Sequence, residues 1–146
     1  MSKHTGAEVL RAALVAVGAC TLPSAVPGGA WPGFVGNMAS TPDNVVCVYD
    51  TAGIREGRIQ ATGETLAKAG WQVGVRATDY RTGAAYMAAI QEALDGLLRK
   101  AVAIDGSAYT VQAVKQTGTV IPLGREFDGT RILFTLNGTI TFSANT

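Results

Sequence analysis

The residues of this chain that could do chemistry gather first around Asp50. Val45-Val46-Cys47-Val48-Tyr49-Asp50-Thr51-Ala52-Gly53 is an apolar run ending in Asp-x-x-Gly, a spacing that can present a carboxylate to a magnesium ion beside a nucleotide phosphate. That chemistry also needs a glycine-rich loop of the GxxxxGK[ST] type to cradle the phosphates, and no Gly-Lys-Ser or Gly-Lys-Thr occurs in the chain. Asp50-Thr51 equally matches half of a paired-aspartate hydrolytic site. The second Asp-Thr-Gly or Asp-Ser-Gly is missing, so only a homodimer would supply it. The simpler expectation is that Asp50 ends a strand and caps its own turn. A small nucleotide-binding or hydrolytic enzyme using Asp50 stands as the alternative from a different class.

Other reactive residues are sparse. His4 is the single histidine, close to the first residue, and is expected to be solvated; no Ser-His-Asp or Cys-His set can be built around it. Glu56 and Glu64 are the one carboxylate pair sharing a segment, and solvation explains both. Cys20 and Cys47 belong to no CxxC or Cys/His cluster, which predicts two buried thiols rather than a metal site. Arg55, Arg58 and Lys68 are offset by Glu56 and Glu64, so that segment reads as salt-bridged surface rather than a nucleic-acid patch. Catalytic, cofactor and metal residues are therefore all expected to be absent. Asn137-Gly138-Thr139 has the form of a glycosylation acceptor, but the apolar run Ala12 to Cys20 gives little support for a signal peptide and is shorter than the roughly 20 residues of a membrane crossing.

Composition agrees. In 146 residues, 47% are hydrophobic and 16% charged, with a formal net charge of +1. That suits one globular domain over 1–146 and gives no overall pull toward nucleic acid or an anionic membrane.

The elements follow from periodicity. Thr5 and Glu8 form a capping box before Leu10, Leu14 and Val17, predicting a first helix over 5–18 with Gly18 as its stop. Residues 21–44 are rich in Pro, Gly and small side chains and read as a long loop carrying Trp31, Phe34 and Met38. Asn44–Asp50 reads as an interior strand, Ile54–Ala69 as an extended loop with room for irregular strand extensions, and Gly70–Thr78 as a strand with one packed face. Asp79 caps a second helix with Met87, Ile90, Leu94, Leu97 and Leu98 on its apolar face. Asp105-Gly106 joins a hairpin of strands near 101–104 and 107–116.

The last stretch, Thr130–Ala144, alternates Ile132, Phe134, Leu136, Gly138, Ile140 and Phe142 against mostly polar neighbours. Folding it back at Asn137-Gly138 would mix the two faces, so one unbroken strand is expected, with a bulge or close backbone approach at Gly138. The predicted fold is α+β: a single mainly antiparallel sheet of four to five strands with two helices, in the order α-β-β-α-β-β-β, helix two lying across one face. A final strand this long needs a cover that a small subunit does not provide, which points to an assembling protein.

The runs PDNVVCVYDTAG, WQVGVRATDYRTGAAYMAAIQEAL and IPLGREFDGTRILFTLNGTITF, over residues 42 to 142, resemble the tail terminator proteins of tailed bacteriophages, a family also labelled minor capsid proteins. Val75-Arg76 with Asp79-Tyr80, and Pro122-Leu123-Gly124 with Asp128 and Arg131, carry the likeness. The resemblance implies a non-enzymatic virion protein of the tail and neck, assembled in the host cytoplasm. Its implied form is a homo-oligomeric ring, typically a hexamer, that caps the tail tube protein, ends its polymerisation and meets the head completion or stopper protein. Genomic DNA would pass through the lumen without sequence-specific binding, and no membrane is involved. A head-tail stopper or other neck protein is the neighbouring reading. Candidate partner contacts are Trp31, Phe34 and Met38 on the first loop and Ile54, Arg55, Glu56, Arg58 and Glu64 on the second.

Overall fold

The structure is a computed structural model that describes residues 4–22, 31–40, 42–58, 65–125 and 129–144, with backbone alone for 53–58 and 65. Helix α1 (Gly6–Ala16) opens with the predicted capping box: the Thr5 hydroxyl accepts from the Glu8 amide and the Glu8 carboxylate accepts from the Thr5 amide. It is followed by β1 (Gly33–Val35), β2 (Val45–Arg58), β3 (Thr65–Ala77), α2 (Tyr80–Asp95), β4 (Lys100–Ile104), β5 (Ser107–Gln116), β6 (Ile121–Arg125) and β7 (Ile132–Ala144). The Asp79 carboxylate caps α2, accepting from the Thr82 amide at 2.8 Å, and this hydrogen bonding lowers its pKa.

The expected sheet of four to five mainly antiparallel strands is overturned. One seven-stranded mixed sheet runs β1-β2-β3-β7-β5-β4, with β6 also paired to β7 and β1 parallel to β2. The element order is accordingly α-β-β-β-α-β-β-β-β. Two strands escaped notice because they are short and carry breakers: β1 lies inside the Pro/Gly-rich stretch, and β6 is Ile121-Pro122-Leu123-Gly124-Arg125. The segment Ile54–Ala69, expected as an extended loop with irregular strand extensions, is strand at both of its described ends, and residues 59–64 lie outside the described residues. β2 and β3 continue as a hairpin, Ile54 pairing with Lys68 and Arg58 with Thr65, past register shifts that disrupt side-chain alternation.

β7 is the centre of the sheet, as one unbroken strand. On one side it pairs with β3 along its whole length, Thr65 with Ala144 through Ala77 with Ile132. On the other side β5 covers Gly138 to Ala144 and β6 covers Ile132 to Thr135, so β5 and β6 are successive pieces of one interrupted neighbour. Phe134, Leu136, Ile140 and Phe142 are buried on one face with Trp71, Val73 and Val75 of β3 and Val46 and Val48 of β2. Burying such side chains contributes about 1.5–3 kcal/mol each.

Both helices pack on that face. Gly6 of α1 lies against Ala69 and Ile140, and Gly83 of α2 against Phe134 and Ala77. Met87, Ile90 and Leu94 fill the space beneath α2; Leu97 is buried just beyond the helix, whereas Leu98 is 66% exposed. The sheet wraps around α1, with Arg11 donating to Gly33 O of β1 while Ala103 and Ile104 of β4 approach the same helix from the other end of the sheet.

Candidate interface surfaces

Asp50 is the first residue that the structure redefines. The strand does not end there, and its carboxylate does not cap a local turn: Oδ1 accepts from the Ala7 amide at 2.9 Å, in the first turn of α1. A carboxylate at a helix N-terminus satisfies an orphan N–H and opposes the positive end of the helix dipole. Asp50 thus fixes α1 to β2.

His4 is likewise corrected from a solvated terminal residue to a packed one. Its side chain is 8% exposed, stands edge-on to Tyr109 with ring centroids 5.5 Å apart, and shares a 2.5 Å hydrogen bond with the Tyr109 hydroxyl. Asp105 Oδ2 lies 3.9 Å from its other ring nitrogen. Tyr109 is 1% exposed, and the row, with Asp105 at its exposed end, ties the start of α1 to the β4–β5 hairpin.

Cys20 and Cys47 are buried and free. Burial pushes the Cys20 thiol up to about 11, against a smaller opposing influence of Arg11, and burial raises Cys47 too. Neither is poised as a thiolate nucleophile. Among the described residues no group of three or more His, Cys, Asp or Glu could hold a metal ion, and no helix is long and apolar enough to cross a membrane.

The candidate contact residues fall into separate places. Trp31 stacks on Tyr86 with centroids 4.0 Å apart at 10°, and its amide donates to the Tyr86 hydroxyl at 3.2 Å, while that hydroxyl donates to Ala19 O. Phe34 is half-buried in β1 opposite Cys47. Met38 lies against Gly74 beside Tyr49 on the sheet face away from the helices. Ile54, Arg55, Glu56 and Arg58 belong to β2 near the hairpin tip, where only the backbone is described, and Glu64 lies outside the described residues. Trp31 thus lies against α2, whereas Met38 lies on the opposite face of the sheet.

Arg76 and Arg131, which helped carry the family likeness, hold the segment around Met38 in place. Arg76 is 2% exposed and donates to Asp43 O at 3.1 Å and to Pro42 O at 2.6 Å. Arg131 donates to Ser40 O at 2.6 Å and lies 3.4 Å from Asp43 Oδ1. Guanidinium groups suit this task because one planar fork reaches two oxygens at once.

Two surfaces were not anticipated. All five residues of β6 are exposed, Ile121 at 47% and Leu123 at 56%, although the strand is paired to β7. Pro122-Leu123-Gly124 stood out in the sequence only as part of a family pattern; its Pro and Gly hid the strand and hence the exposed side chains. The second is an open cleft of about 350 Å³ between α1 and β4, lined by Ala12, Val15, Leu22, Ala103 and Ile104 together with Glu8, Arg11 and Asp105.

These surfaces fit a protein that works by contact. A search of curated proteins returned no match. A family model described as bacteriophage tail terminator protein matches residues 14–143, a span that takes in α2, β1 to β6, all but the last residue of β7 and both arginine clasps, and the chain therefore belongs to that family.

Proposed function

We propose that the chain acts by forming a closed ring, a homohexamer, on the last ring of the tail tube, where it ends tube polymerisation and offers its other side to the head completion proteins of the neck. The observation that carries this reading is β6, an edge strand with all five residues exposed and two large apolar side chains facing water. An edge of this kind calls for a cover. A ring requires heterologous contacts whose rotation closes, and a subunit with different surfaces at different places on its sheet meets that requirement. Family membership supports a structural role in the virion tail.

Under this reading Trp31, Phe34 and Met38, together with Ile54, Arg55, Glu56, Arg58 and Glu64, contribute contacts to tube or neck, and the lumen admits DNA without reading its sequence. The purified chain mixed with polymerising tail tube protein of its own phage is expected to give tubes of limited length, each ending in a ring visible by electron microscopy. Tubes that grow unchanged beside a persistently monomeric chain would overturn the proposal.

A further inference from the structure

We propose that Asp105 is a site of spontaneous backbone isomerisation, converting to isoaspartate through a succinimide while the rest of the chain stays folded, and that the change releases the β4–β5 turn from His4. The reaction needs a side-chain carboxyl or amide one residue ahead of a main-chain amide that can swing onto it, and a glycine in the second place leaves that amide least hindered. The sequence holds four such pairs: Asp95-Gly96, Asp105-Gly106, Asp128-Gly129 and Asn137-Gly138. Asp128 lies outside the described residues. Tertiary structure separates the other three.

Asp95 and Gly96 are both engaged, the carboxylate accepting from Gln116 Nε2 at 2.9 Å and the Gly96 amide donating to Ala93 O at 3.2 Å. Asn137 and Gly138 stand in the middle of β7, paired with Gln72 and Trp71 of β3, and Gly138 is buried between Trp71 and Lys115. Rotation there would break the centre of the sheet. Asp105 and Gly106 meet neither restraint. The ladder between β4 and β5 stops at Ile104 and Ser107, so the two residues of the turn are held only at their ends. The Asp105 side chain is 87% exposed, the space where a Gly106 Cβ would stand is open, and among the described residues the Gly106 amide has no hydrogen-bond partner.

The Gly106 nitrogen adds to the side-chain carbonyl carbon of Asp105 in its acid form. A C–N bond forms, a C–O bond breaks, and the hydroxyl leaves with the amide proton as water. Water then opens the ring; opening at the main-chain carbonyl leaves the chain running through the former side-chain carboxyl, with no net gain or loss of atoms. The product has one more carbon in the backbone of the two-residue turn and a carboxylate on a shorter arm. Asp105 Oδ2, now 3.9 Å from His4 Nε2, is thereby moved out of position.

The test is to hold the folded protein at neutral pH and map its peptides by chromatography and mass spectrometry. Isoaspartate is expected to accumulate about tenfold faster at 105 than at 95 or 137, because it needs only local motion of a turn whereas the others need a helix end or the sheet to open. Asp105→Asn, which keeps the Asn-Gly preference of such turns, supplies an internal control: that position should deamidate while Asn137, in the same dipeptide, stays intact. Conversion of Asn137 as fast as position 105 in the folded variant, or no isoaspartate at 105 in the native sequence, would overturn the assignment. Hydrogen exchange in the first turn of α1 should be faster in the isomerised fraction than in the unmodified one, and equal exchange would overturn the release from His4.

Discussion

The indole of Trp71 lies directly against Gly138 of β7, its cross-strand partner, so that a Cβ on Gly138 would be driven into Trp71 Cζ2 on one side and the carbonyl of Lys115 on the other. The glycine that resembles a hairpin signal in Asn137-Gly138 is there for close approach. Gly138→Ala is expected to cost about 3 kcal/mol, the upper part of the range for overpacking a core. Urea unfolding followed by tryptophan fluorescence measures this, and a loss below about 0.5 kcal/mol would contradict the packing.

Asp50 acts on α1 rather than on a ligand. Asp50→Ala is expected to lower stability by about 1 kcal/mol, the usual value of a capping interaction, and Asp50→Asn by less because an amide oxygen can still accept from the Ala7 amide. Both variants should still assemble on tube protein. Calorimetric titration with nucleotide, showing binding that Asp50→Asn abolishes, would reverse this assignment.

Arg76 is expected to tolerate no replacement. Arg76→Ala removes two hydrogen bonds from a charged donor at a buried position and should cost about 3 kcal/mol, and Arg76→Lys should recover only part because an ammonium cannot span Pro42 O and Asp43 O as a fork. Hydrogen exchange of the segment around Met38 should accelerate in both variants. Unchanged protection there would show that the clasp is not what holds it.

Alkaline pH should unfold the protein through its buried thiols and phenols. Cys20 is raised from 9.0 to about 11 in the folded chain, and burial raises Cys47, Tyr49 and Tyr86 as well. Because each folded value lies above the unfolded one, the unfolded chain releases these protons first, so the stability they contribute is complete below pH 9 and falls as pH rises toward 11. Cys20 accounts for about 2 kcal/mol of this fall. Urea midpoints at pH 8, 9, 10 and 11 should decline for the native sequence and decline less steeply for Cys20→Ala, whose cavity lowers all four values.

The sequence by itself determined the elements whose signals are local. The Thr5/Glu8 box, the Asp79 cap, the Asp105-Gly106 turn with both residues at positive φ, and the apolar alternation of β7 each depend on neighbours a few positions away, and each stands in the structure as its local chemistry dictates. The same alternation separated one strand from a hairpin at Asn137-Gly138, because only the unbroken strand puts Phe134, Leu136, Ile140 and Phe142 on one buried face.

Tertiary structure decided what depends on distant partners. β1 exists because β2 offers a parallel edge to three residues with no pattern of their own, and the Ile54–Arg58 strand persists because β3 pairs with it across register shifts. Asp50 found the amide of Ala7 and His4 found the hydroxyl of Tyr109, 43 and 105 residues away, so their roles could not be read from adjacent residues. The exposed edge of β6 was hidden for the same reason. A Pro-Leu-Gly run becomes a strand only when a long neighbour such as β7 supplies the hydrogen bonds, and its side chains count as exposed only once the rest of the sheet is in place.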